Sequence, residues 1–130
     1  MTDRDAHMTG LLRLVAPSEK SRFKRWIATP KGREKLLKAM RHGMVFDPRH
    51  CVEPPKGSRS DENLFKLMRQ HGAPTQCYII SSDGYLDDTF QDLEHVMCNE
   101  LANFSHGTLI SSIPGKLAFN RTALPHRHLI

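Results

Sequence analysis

Aromatic residues are scarce in this chain, which has one tryptophan and two tyrosines among 130 residues. Proteins that hold single-stranded nucleic acid by stacking need several exposed rings, so that binding mode lacks material. Trp26 is expected in a core. Cysteines number three, Cys51, Cys77 and Cys98, with no close pairing. Small secreted domains carry even, dense cysteine frameworks, so reduced thiols in a cytoplasm are the expectation. No apolar run approaches the roughly eighteen residues needed to cross a membrane. The opening Met1-Thr2-Asp3-Arg4-Asp5 is polar and mixed in charge, unlike a secretory leader. A cytoplasmic protein without a membrane partner is expected.

Catalytic signatures are absent too. The chain has no Walker sequence, no dinucleotide fingerprint, no Gly-x-Ser-x-Gly and no His-Glu-x-x-His. No cofactor is expected, and catalysis is not the preferred reading.

What the chain has in excess is positive charge, unevenly placed. Residues 1–60 hold fourteen Lys or Arg against six Asp or Glu, a net of +8. Residues 61–130 hold five against eight, a net of −3. Between Lys20 and Arg41 stand nine basic residues, opposed only by Glu34. That density exceeds what solubility requires and points to a polyanion, either DNA or RNA, or to an acidic protein. The contrasting reading is a solvated face of two amphipathic helices.

Periodicity predicts a helix over about residues 4–15, with Met8, Leu11, Leu12 and Val15 in phase and Pro17 ending it. Ser18 can cap a second helix to about Ala28, with Phe23, Trp26 and Ile27 as its stripe. Thr29-Pro30 supplies an N-cap and an N1 proline for a third, running to about His42 before Gly43. Leu36, Leu37 and Met40 then share one face, and Lys31, Lys35 and Lys38 the opposite one. Residues 44–59 read as an irregular connector. A short helix from Asp61 to about Gln70, capped by Ser60, is closed by Gly72. Gln76 to Ser81 reads as a strand, and Asp88 or Thr89 starts a helix to about Phe104. Thr108 to Ile113 and Leu117 to Arg121 form two further strands, joined by Pro114-Gly115 at the centre of a type II turn.

The expected fold is α+β: an N-terminal cluster of three to four short helices, then a small antiparallel or mixed sheet with one long helix packed on it. A single domain over residues 1–122 comprises a basic helical part (1–43), the connector (44–59) and a helix-and-sheet part (60–122). Residues 123–130 read as a loose tail.

Phosphate contacts are assigned to Lys20, Arg22, Lys24, Arg25, Lys31, Lys35, Lys38 and Arg41, with Arg33 bridging the two basic helices. These contact the backbone without reading sequence. A helix-turn-helix is weighed against this, since Ala28-Thr29-Pro30 is short enough, but the usual turn glycine is missing. His95 and Cys98, with His42, His50 and Cys51, match no standard zinc spacing, and no metal is expected. The acidic set Asp83, Asp87, Asp88, Asp92 and Glu94 suits turns and a helix start better than Mg²⁺. It also offers the basic half of a second copy a partner, hence a homodimer. Two alternatives are kept. One is a protein–protein module such as an adaptor or immunity-type protein. The other is a metal-independent nuclease using His106, Lys116 and Arg121, with His126 beside them.

Overall fold

The computed structural model describes residues 3–41, 46, 61–81, 86–100, 108–121 and 127–129. Its centre is a five-stranded antiparallel sheet in the order β2-β1-β3-β4-β5. The strands are β1 (Gln76–Ile80), β2 (Thr89–Asp92), β3 (Thr108–Ile113), β4 (Leu117–Arg121) and β5 (Arg127–Leu129). β1 and β2 pair with Tyr78 opposite Phe90, and β1 and β3 pair with Tyr78 opposite Ser111. β3 and β4 form a hairpin whose turn is closed by the Lys116 N–H to the Ile113 carbonyl at 2.9 Å. Gly115 there has φ +69°, the left-handed value that the third position of a type II turn requires.

Side chains alternate across a strand, and here both faces of the sheet are apolar. Cys77, Ile79, Ile110, Leu117 and Phe119 enter one core with Leu64 and Met68 of α4 (Asp61–Gln70). Leu93, Val96 and Met97 join them from a helical segment that opens as α5 (Leu93–His95) and continues as a wider π-type stretch, Val96–Glu100. Tyr78, Ile80, Leu109 and Ala118 enter the other core. There they meet Met8, Leu11 and Leu14 of α1 (Asp3–Leu14), Phe23 of α2 (Lys20–Trp26) and Leu36 of α3 (Pro30–Arg41). The architecture is therefore three layers, with the sheet between two sets of helices.

Local chemistry explains most helix ends. Thr29 Oγ1 accepts the Gly32 N–H at 3.0 Å, which makes Thr29 the N-cap ahead of Pro30. Gly72 (φ +94°) follows α4, with Ala73 N–H bonded to the Met68 carbonyl and Gly72 N–H to that of Arg69. That is the two-bond Schellman ending, which favours glycine in the left-handed position. Ser18 does not cap α2. The chain enters through a 3₁₀ turn, Pro17–Glu19, and no side chain caps either element.

Three expectations are corrected in the C-terminal half. Residues 89–92 form strand β2, so the helix begins at Leu93 and is capped by the Asp92 carboxylate, which accepts the His95 N–H at 3.0 Å. Among the described residues that helical segment runs to Glu100, and its expected continuation to Phe104 lies outside them. α4 belongs with α5 on the face opposite α1–α3 and not to the N-terminal cluster. Arg127–Leu129, expected within a loose tail, pair with β4 as the fifth strand. The caps foreseen at Gly43 and Ser60 lie outside the described residues.

Candidate functional site

Seven of the eight basic residues assigned to phosphate have described side chains. All seven are exposed: Lys20, Arg22, Lys24 and Arg25 on α2, and Lys31, Lys35 and Lys38 on α3. Arg41 ends α3, with its side chain outside the described residues. Phe23 and Leu36 anchor the two helices into the α1-side core, which turns the intervening cationic positions outward. Arg22 is ion-paired with Glu19 and lies over the Trp26 ring at 4.9 Å, so part of its charge is already used. None of the ion pairs between described residues involves Lys20, Lys24, Arg25, Lys31, Lys35 or Lys38.

At the α2–α3 corner these charges converge on one concavity. A cavity of about 250 Å³ is lined by Arg25, Trp26, Thr29, Lys31, Gly32 and Lys35. Thr29 caps a twelve-residue helix and Lys31 and Gly32 belong to its first turn, where the helix dipole places partial positive charge on the same side. Gly32 makes the corner this tight. A Cβ on it would fall 2.3 Å from the Trp26 carbonyl oxygen and 2.6 Å from the Trp26 Cα. The end of α2 thus rests on the backbone of α3, which carries Arg25 of one helix beside Lys31 and Lys35 of the other.

Arg33 has a different task from the one expected. It does not bridge the two basic helices. Its guanidinium forks onto Asp87, with Nε and Nη2 donating at 3.0 and 2.9 Å, and it stands 5.9 Å from the Tyr78 ring. Asp87 also accepts the Ser81 N–H at 2.8 Å. Next to it Asp88, in the left-handed region at φ +60°, accepts from Arg4 Nε at 2.6 Å and from the Tyr78 hydroxyl. Burial pushes the Asp88 carboxyl up, but hydrogen bonds from Tyr78 and Arg4 outweigh it and hold the group below its ordinary range. Burial, then the bond to Asp88, pushes the Tyr78 phenol up to about 12. Asp87 and Asp88 were expected in the first turn of a helix. They lie instead ahead of β2, tying α3 and α1 to the sheet.

No protein-family model, curated protein or solved structure matches this chain. The reading of the site therefore rests on its geometry. Of the nuclease candidates, Lys116 is exposed in the β3–β4 turn, and the backbone of Arg121 ends β4 about 16 Å of strand away. His106 and His126 lie outside the described residues, as does the Arg121 side chain. No group of His, Cys, Asp or Glu suited to a metal occurs among the described residues. Cys77 is a core thiol, pushed up to about 12 by burial, its Sγ donating to the Gln91 carbonyl at 3.4 Å. No helix is long and apolar enough to cross a membrane among the described residues.

Sequence reasoning passed over His7. It is buried on α1, shares a 2.7 Å hydrogen bond between Nδ1 and Ser111 Oγ, and stacks on Tyr78 at 5.5 Å. Its position one residue before Met8 on the inward face was the available signal.

Proposed function

We propose that this protein binds nucleic acid through the phosphate backbone, using the α2–α3 corner. The observation that carries the reading is the convergence of Arg25, Lys31 and Lys35, none ion-paired among the described residues, on one concavity at the start of α3. Three like charges held side by side repel one another, and a phosphate placed among them relieves that repulsion. Lys20, Lys24 and Lys38, also exposed, extend the positive field along both helices. Arg41 is the natural continuation at the end of α3. Arg22 contributes less, being held by Glu19 and Trp26. The α2–α3 turn meets no base edge in this reading, since lysine and arginine tips around a cavity position a phosphate without specifying sequence.

The test is a salt titration of binding to unrelated duplex DNA and RNA sequences. Affinity is expected to fall steeply with salt, with a log–log slope of about −0.9 per neutralised duplex phosphate. Lys31→Ala or Lys35→Ala should lower that slope by about one unit and weaken every sequence alike. Charge reversal of Arg25, Lys31 and Lys35 together should abolish binding in low salt. No affinity of the unaltered protein for any nucleic acid in low salt, with retention of polyglutamate, would transfer the surface to an acidic protein partner.

A further inference from the structure

Arg22 differs from the other cations of the corner in being held on two sides by its own helix. Glu19 precedes it by three residues and Trp26 follows by four, spacings that place side chains next to one another on a helix face. The Arg22 Nη2 donates to the Glu19 carboxylate, and its guanidinium lies over the Trp26 ring, 4.9 Å from the centroid. The indole is fixed in turn, part-buried against the α1-side core with its centroid 5.4 Å from that of Phe23. A surface arginine ordinarily ranges over many rotamers, and binding must remove that freedom. Here two neighbours remove it in advance.

Glu19 offsets the charge of Arg22, so this residue adds little to the pull on phosphate. Its side chain nevertheless stays 46% exposed. Arginine also keeps a flat, delocalised face after its edge is hydrogen-bonded, which lysine lacks. What Arg22 offers to solvent is therefore a fixed plane more than a free charge. Bases stack on guanidinium planes as they do on aromatic rings.

The location of this plane gives it a use. Trp26 carries Arg22 and also lines the α2–α3 concavity with Arg25, Lys31 and Lys35. A stacking plane and a cationic hollow thus meet at one residue. A nucleotide has both counterparts, a flat base and a phosphate. In a closed duplex the base faces are covered by their neighbours, and exposing one costs unstacking, so an unpaired nucleotide presents both most readily. The neighbouring Phe23 ring is fully buried, so the platform serves one base.

We propose that the corner holds an unpaired nucleotide, with its base stacked on Arg22 above Trp26 and its phosphate among Arg25, Lys31 and Lys35. The preferred ligand is then a nucleic acid with a single-stranded end or loop. This inference rests on the backbone-binding reading and adds to it one base face. Stacking is tolerant of sequence, so unrelated sequences remain equivalent.

The experiment measures binding of the full chain, in low salt, to three DNAs. One is a blunt duplex, one carries a single-stranded overhang, and one carries the same overhang built of abasic sites, which keep the phosphates and lack the bases. The overhang with bases is expected to bind about tenfold tighter than either of the others. It should also alter the emission of Trp26, the only tryptophan, which the abasic overhang should leave unchanged. Arg22→Lys keeps the charge and loses the plane, so the tenfold difference should vanish while affinity for the abasic overhang holds. Glu19→Gln should act in two directions, strengthening binding of the abasic overhang by removing a negative charge and narrowing the difference by freeing Arg22. Neither side chain belongs to a core, so both variants should fold. Equal binding of the two overhangs, still falling steeply with salt, would overturn this proposal and leave the backbone reading standing. A tenfold difference that survives Arg22→Lys would overturn it as well. Absence of binding to all three DNAs would overturn both.

Discussion

Arg33 and Lys31 are two residues apart and serve different ends. The Arg33 fork onto Asp87 is largely sheltered, at 12% and 18% side-chain exposure, so the pair is screened little by solvent. Removing one partner leaves the other charge poorly solvated, and Arg33→Ala should cost about 3 kcal/mol in urea denaturation. The double change with Asp87→Ala should cost less than the sum of the two single changes, which a double-mutant cycle reads directly. Nucleic-acid affinity per folded molecule should hardly move. Lys31→Ala should do the reverse, weakening binding with little change in stability.

His7 supplies a pH dependence of known sign. Its folded pKa lies below the ordinary 6.5, so between these values the unfolded chain binds the proton that the folded chain refuses. Stability should therefore be full above 6.5 and decline as pH falls toward the folded pKa. In His7→Gln this part of the slope should vanish from urea midpoints measured across pH 5–7.5. A His7→Gln profile that follows the unaltered protein would mean that other groups carry the dependence.

At the scale of elements, the α2–α3 corner depends on one missing side chain. Gly32→Ala would drive a methyl group into the backbone of Trp26, and backbone cannot yield as a flexible side chain does. The helices should separate, at a cost of about 1–3 kcal/mol. Nucleic-acid binding should weaken even though no charge is altered, because Arg25 moves away from Lys31 and Lys35. Trp26, the only tryptophan, reports the change by its fluorescence. Several elements were readable in advance for local reasons. Thr29-Pro30 marks the start of α3, Gly72 the end of α4, and Pro114-Gly115 the turn between β3 and β4, each through a backbone conformation that few residues adopt easily. Strand β2 was hidden because Phe90 falls three residues before Leu93 and so extends the helical pattern of Val96 and Met97. Its real contacts are with Tyr78 at 5.1 Å and His7, both distant in sequence.

Over the whole molecule, the charge split between the two halves is partly cancelled inside the fold. Arg33 and Arg4 are taken by Asp87 and Asp88, so the acidic segment serves its own chain's basic half and is less free to serve a second copy. Among the described residues the exposed positive charge is densest on α2 and α3. Sequence alone determined the α+β class, most helix and strand positions and the outward turn of the lysines on α3, because these follow from periodicity and backbone preference within a few residues. Tertiary structure decided that both sheet faces are covered, that α4 lies opposite α1–α3, and that Arg33 is structural. It also decided that His7 meets Ser111 and Tyr78. Each of these is set by contacts between residues tens of positions apart, and a pattern local to the chain carries no information about which distant surfaces meet.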